Sequence, residues 1–189
     1  MPRYNGVTLP ELMIALSIIS VISMLAMPSF QHMAERQQAR SAVHSLFQHF
    51  RFARSASITY NRIVTVCPST DKSTCHKSTD WSGKYILLFI DNDGDGERHP
   101  DDILLRILDF SEDRGSLRWR SFGNRSYIQW YPTGMMHFQN GNLTYCPGTG
   151  NPQHARQLIT NAVGRVYFAI DRNGDGIVQG ANGRAVSCP

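Results

Sequence analysis

The stretch GVTLPELMIALSIISVISMLAMPSF, Gly6 to Phe30, decides the fold. From Leu12 to Phe30 it carries no charge, and as a helix it would span roughly 28 Å, close to the ~30 Å hydrocarbon core of a bilayer. Glu11 stands at its head. A carboxylate in a membrane helix costs about 2.5–3.5 kcal/mol at the centre and less at an end, so it is usually retained because it has a partner. A secretory signal would show a basic start, an apolar centre and a small-residue cut site. Here the basic start is Arg3 alone, no cut site follows the oily run, and the helical pattern continues past it. An ordinary membrane anchor leaves Glu11 unexplained.

Beyond Pro28 the pattern turns amphipathic. Ala39, Val43, Leu46, Phe50 and Ala53 recur at three-four spacing, while Arg36, Arg40, Gln48, Arg51 and Arg54 mostly occupy the rest of the surface. The spacing predicts one helix from about Thr8 to near Tyr60, with Asn61 as the stop. Pro10 falls in its first turn, where the missing N–H had no partner to lose. From Arg62 onward the chain reads as β. The expected strands are Ile63–Cys67, Tyr85–Ile90, Ile103–Leu108, Ser116–Trp119, Tyr127–Tyr131, Met136–Phe138, Leu143–Cys146, Gln157–Thr160 and Val166–Ile170, with Gln139-Asn140-Gly141-Asn142 as the clearest hairpin turn. The fold class is α+β: a long N-terminal helix packed on an antiparallel sheet domain.

The 189 residues suit one domain with an appended segment, and the remainder of about 150 residues can bury one core. A formal charge of +4 permits contact with nucleic acid or anionic surfaces without demanding it. The cysteines are Cys67, Cys75, Cys146 and Cys188, and none has C-x-x-C spacing. On an exported chain an even count reads as two disulfides. Of the three pairings, Cys67–Cys75 with Cys146–Cys188 is favoured; the first closes a short polar loop and the second pins the C-terminus. Free buried thiols are the alternative.

Gly6-Val7-Thr8-Leu9-Pro10-Glu11 resembles the prepilin cleavage motif of type IV pilins and type II secretion pseudopilins. The resemblance implies a cut between Gly6 and Val7 by a prepilin peptidase. It makes Glu11 the fifth mature residue, meeting the new N-terminal amine of a neighbouring subunit during assembly. Val7 stands where Phe is usual and Pro10 where an aliphatic is common. Pro28 falls where these proteins carry a helix-kinking proline. Val64-Thr65-Val66-Cys67-Pro68, Cys75, Trp81, Tyr85 to Asp91, Leu158 to Asn161 and Gly164-Arg165-Val166 are similar to the GspH/FimT family. The implied organisation is a cleaved leader at 1–6, a transmembrane or filament-core half-helix at 7–30, an amphipathic half at 31–60 and a β-rich pilin domain at 61–189. The implied location is the inner membrane, with the globular part periplasmic, and then an extracellular pilus. The implied partners are other major and minor pilins.

Asp91-Asn92-Asp93-Gly94-Asp95-Gly96, with Asp102 at position 12, has the spacing of a calcium loop. Position 12 is not the bidentate Glu of an EF-hand, and strands flank the loop. An acidic β-turn is the favoured reading over calcium, and no other cofactor is expected. Asp171-Arg172-Asn173-Gly174-Asp175-Gly176 repeats the pattern more weakly and reads as a turn. In Arg114 to Arg125, basic residues interleave with aromatics, as in a single-strand grip. A strand with outward Arg and inward Leu117 and Trp119 fits better. Gly164-Arg165 and Gly183-Arg184 resemble the G-R-x-R of DNA-binding FimT-like members, but Tyr167 and Val186 occupy the second Arg position, so DNA is not favoured. No nucleophile elbow, P-loop, H-E-x-x-H or G-x-G-x-x-G motif occurs. The expectation is a structural subunit rather than an enzyme: a minor pilin priming assembly of a type IV pilus, toward which the two-disulfide pattern leans. A type II secretion pseudopilin and a DNA-binding competence pilin are the alternatives.

Overall fold

The structure is a computed structural model that describes residues 8–111 and 115–188, with side chains throughout except at 25–29. Gly6 and Val7 lie outside the described residues. The chain divides into two compact units, Met1–Gln37 and Gln38–Pro189. Helix α1 (Leu9–Tyr60) supplies the described part of the first and the opening element of the second.

In the first unit, α1 starts with Leu12 N–H donating to the Thr8 carbonyl, and Glu11 lies in the first turn, where the helix dipole favours a negative charge. The backbone stays helical through Pro28, whose side chain lies outside the described ones. Leu9, Leu12, Met13, Ile14, Leu16, Ile18, Ile19, Val21, Ile22 and Met24 are each more than half exposed. Ser17, Ser20 and Ser23 turn their hydroxyls back onto the carbonyls of Ile14, Ser17 and Ile19 at 2.8 Å. These three hydroxyls are therefore answered within the helix itself. Among the described residues no helix is long and apolar enough to cross a membrane.

In the second unit, Ala39, Val43, Leu46, Phe50 and Ala53 are all buried, with Ala42, His49 and Ala56 beside them. Asn61 ends α1 by taking a left-handed conformation (φ 52°), which Asn tolerates better than most residues. Two four-stranded antiparallel sheets follow. The first has the order β3 (Ile103–Asp109), β2 (Tyr85–Asp91), β1 (Ile63–Ser69), β5 (Ile128–Trp130); the second has β4 (Ser116–Ser121), β6 (Gly141–Cys146), β7 (Arg156–Thr160), β8 (Val166–Phe168). One core joins α1 to both sheets. Val64, Val66, Ile86 and Leu88 enter it from the first sheet, and Leu117, Trp119, Leu143 and Leu158 from the second. Phe50 lies 6.5 Å from Trp81, edge-on, and 5.6 Å from Trp130 between ring centroids, within the range where aromatic pairs add to area burial. Cys67, Leu87 and Phe89 form a small cluster on the opposite face of the first sheet. With both faces covered, β2 reads as a continuous apolar run. Disulfides join Cys67 to Cys75 and Cys146 to Cys188.

Three expectations need correction. Met136–Phe138 is not a strand: Phe138 is left-handed (φ 53°), because the chain turns there to bury Gln139. Gln139 Oε1 accepts from Gln129 N–H at 2.7 Å and its Nε2 donates to Gln129 Oε1 at 2.9 Å. Gln139 to Asn142 is accordingly not a hairpin turn. Gly141 opens β6 between Ser121 and Thr160, and a Cβ there would meet the Arg120 carbonyl at 2.3 Å. Its glycine serves close packing of strands, not a turn. The last strand is also shorter, because the chain leaves β8 after Phe168.

His49 gives the second unit a pH dependence. Burial, reinforced by the Arg106 charge, lowers its pKa from 6.5 to about 4, and its Nε2 has no hydrogen-bond partner. The folded chain therefore holds it neutral while the unfolded chain protonates it near pH 6.5. Between pH 6.5 and 4 the unfolded state binds the extra proton, so stability falls as pH falls. The loss across that window is on the order of 3 kcal/mol. Urea unfolding midpoints of wild type and His49→Leu, compared from pH 7 to pH 4, should diverge in slope, the variant being flatter. Parallel curves would remove His49 as the cause.

Candidate functional site

Where β2 leaves the first sheet, it enters the acidic loop. Asp91 is buried, and its carboxylate binds this loop together. Oδ1 accepts from Gly94 N–H at 2.7 Å; Oδ2 accepts from Thr65 Oγ1 at 2.7 Å, Gly96 N–H at 3.0 Å and Gln129 Nε2 at 3.0 Å. Burial pushes its pKa up, opposed by these four bonds. Asp102 is also buried, and accepts from Asn92 N–H at 2.9 Å and His99 N–H at 2.8 Å. Positions 1 and 12 of the calcium-like spacing are thus engaged by the chain's own donors. Asp93 and Asp95 lie at the exposed lip near His99, and Asp95 pairs with it at 3.0 Å, which raises the pKa of the imidazole. The Asp171 loop repeats the pattern. Gly174 and Gly176 N–H both donate to its carboxylate at 2.8 Å, and an antiparallel Ile170–Gln179 bridge closes the turn. Asp171 is exposed where Asp91 is buried, and the backbone N–H groups of Gly176 and Gly174 hold its pKa below the usual carboxylate value.

The basic residues divide between two surfaces. Arg165, at the β7–β8 turn, lines an open groove with Arg51 and Arg54 of α1. Arg54 is structural, its Nε donating to the Gly134 carbonyl at 3.1 Å and its Nη2 to that of Val163 at 3.2 Å. Arg184 lines a different cavity with Arg118 and Arg120. Leu117 and Trp119 are buried in the core, so the alternation along β4 is outward Arg and inward apolar. No base could stack on Trp119 without unfolding the sheet. Gly164 holds its place for packing. It is left-handed (φ 78°), and a Cβ there would sit 1.8 Å from the Gly134 carbonyl oxygen. Its own carbonyl accepts from Trp130 Nε1 at 3.2 Å.

Sequence reasoning found Arg118, Arg120 and Arg184 but did not bring them to one cavity, because the register of β4 against the C-terminal segment is a tertiary fact. Gln157, which lines the same cavity, left no signal in the sequence at all.

The architecture agrees with comparisons to known proteins. The family model described as Type II transport protein GspH matches residues 42–164, and that described as the Prokaryotic N-terminal methylation motif matches residues 1–27. The type IV minor pilin FimU of Pseudomonas aeruginosa has a similar fold. One crystal form covers 72% of this chain and 91% of that chain, at 20% identity and a TM-score of 0.56. A second covers 69% and 92%, at 19% identity and a TM-score of 0.51. No curated protein matches. A helix of two characters followed by an antiparallel β domain, and family models that match both the head of that helix and most of the β domain, lead to one conclusion: the chain belongs to the GspH/FimT family of type IV pilin-like structural subunits.

Proposed function

We propose that the chain is a minor pilin, cut by a prepilin peptidase between Gly6 and Val7 and then inserted at or near the tip of a type IV pilus, where it helps to prime assembly. The observation that carries this is the first half of α1. From Leu12 to Met24, nine large apolar side chains stand exposed along it behind a single carboxylate. Full burial of a large apolar side chain is worth roughly 1.5–3 kcal/mol, so this segment has a strong drive to enter lipid or a bundle of like helices. The serine hydroxyls answered within the helix make that transfer cheaper. The inner membrane holds the segment before assembly and other major and minor pilins hold it afterwards, with motility, adhesion and DNA uptake following as properties of the whole filament. The Asp91 loop serves in this reading as a structural clip, its buried carboxylate spent on the chain's own donors.

A second reading is a pseudopilin of a type II secretion system, supported by the description of the matching family model. Both readings require the same processing. Co-expression with a prepilin peptidase should yield a mature chain beginning at Val7, read by N-terminal sequencing or intact mass. A mature chain that still carries Met1 to Gly6 in a peptidase-competent host would refute both.

A further inference from the structure

Alternate residues of β4, β6 and β7 leave the core and line the far side of the second sheet. Arg118 and Arg120 come from β4, Asn142 and Thr144 from β6, Gln157 from β7. The segment after Val178 returns across this face and brings Arg184. It is held there by the Cys146–Cys188 bond and by Val178 and Val186, which pack with Ala155, Ile159 and Ala169. Between sheet and segment lies a cavity of about 400 Å³.

Its chemistry is one-sided. Three guanidiniums line it, and among the described residues no carboxylate does. Asp80, the bridge partner of Arg118, feels its charge, but its Oδ1 already accepts from Ser82 N–H at 3.0 Å. Gln157 is buried, 7% exposed. Its Nε2 donates to Thr144 Oγ1 at 2.8 Å and to Asn142 Oδ1 at 3.3 Å, but its Oε1 is buried with no partner. The site thus offers several cationic donors and one buried acceptor that lacks a hydrogen. Buried acceptors in folded proteins are almost always answered.

We propose that this cavity binds a small molecule carrying an oxyanion beside a hydroxyl, of the class of a phosphorylated sugar. The guanidinium forks match phosphate oxygens in pairs, and the hydroxyl would supply the hydrogen that Gln157 Oε1 lacks. The volume falls within the range of ordinary small-ligand pockets. A polyanion would need cations spaced along an open track. Here Arg118, Arg120 and Arg184 line one cavity bounded by a disulfide-tethered segment, while Arg165 lines a separate groove.

The test is calorimetric titration of the full chain, in detergent and at low salt, with glucose 6-phosphate, inorganic phosphate, glucose, and a short single-stranded oligonucleotide without terminal phosphates. Glucose 6-phosphate should bind saturably and weaken with added salt, and glucose should not bind. Arg120→Gln and Arg184→Gln, both at exposed positions, should each weaken binding by about tenfold or more with melting temperature unchanged. Gln157→Met should keep inorganic phosphate binding while erasing the preference for glucose 6-phosphate over it. Absence of saturable glucose 6-phosphate binding would overturn the proposal, as would binding indifferent to both Arg variants. Tighter binding of the oligonucleotide, lost in the same variants, would instead make the cavity a nucleic-acid contact and overturn the small-ligand assignment.

Discussion

Gly164→Ala is expected to lower the stability of the folded unit by about 3–5 kcal/mol. Two costs combine. The residue is left-handed (φ 78°), which charges any L side chain roughly 1–2 kcal/mol. The larger cost is that a Cβ would stand 1.8 Å from the Gly134 carbonyl oxygen, a backbone atom that cannot rotate away. The loop carrying Gly134 must move, and that loop is tied down. Arg54 Nε donates to the Gly134 carbonyl, and Met136 N–H donates to that of Ala162 at 2.9 Å. Trp130, fully buried, risks its bond to the Gly164 carbonyl as well. For a chain of this length the loss corresponds to a fall of roughly 10 °C in melting temperature. Gly150→Ala separates the two costs, since Gly150 is left-handed too (φ 71°) but nothing lies within 4 Å of its Cβ position. It should lose only the conformational part. Equal losses at the two sites would show that the close approach at Gly164 carries no weight.

Gly164 also illustrates what a sequence conceals. Beside Arg165 it reads as half of a nucleic-acid motif, yet its neighbours are backbone atoms from a loop thirty residues earlier. Gly141 misleads in the same way, its Asn-Gly pair announcing a turn where the chain instead needs room against β4. Local rules see φ and ψ; they do not see what approaches from elsewhere. The buried face of α1 was legible for the converse reason. A helical period is a property of the chain alone, and Ala39, Val43, Leu46, Phe50 and Ala53 declare it whatever packs against them. The outward Arg and inward Trp of β4 were legible likewise, through alternation. The division into two sheets was not, because a strand's pattern does not name its neighbours. The acidic loop stands between these cases. The spacing of Asp91, Asp93, Asp95 and Asp102 announces convergent oxygens, but only the fold reveals that Thr65, Gln129 and backbone N–H groups already claim those of Asp91.

Glu11→Ala is expected to leave leader cleavage intact and to remove the chain from filaments. In the proposed processing the peptidase acts at Gly6, five residues upstream, and alanine keeps the helix start that Pro10 and the Thr8 carbonyl set up. Assembly is different. In the proposed filament the carboxylate lies among apolar helices and faces the free amine that cleavage exposes on a neighbouring subunit. In such surroundings a lone charge is expensive, and deleting one partner leaves the amine buried and unanswered. The expected fall in incorporation is roughly a hundredfold or more. Immunoblots of sheared pili against the membrane fraction would read it, with processed chain accumulating in the membrane. Glu11→Gln isolates the charge. It retains the length and a hydrogen-bond acceptor, so a defect equal to alanine's assigns the effect to ionisation, and full rescue assigns it to the hydrogen bond. Alanine-variant chains recovered in pili at the wild-type level would end the pairing role of Glu11. The exposed apolar face would then have to drive assembly by burial alone, which rewards every stagger of the helices nearly equally.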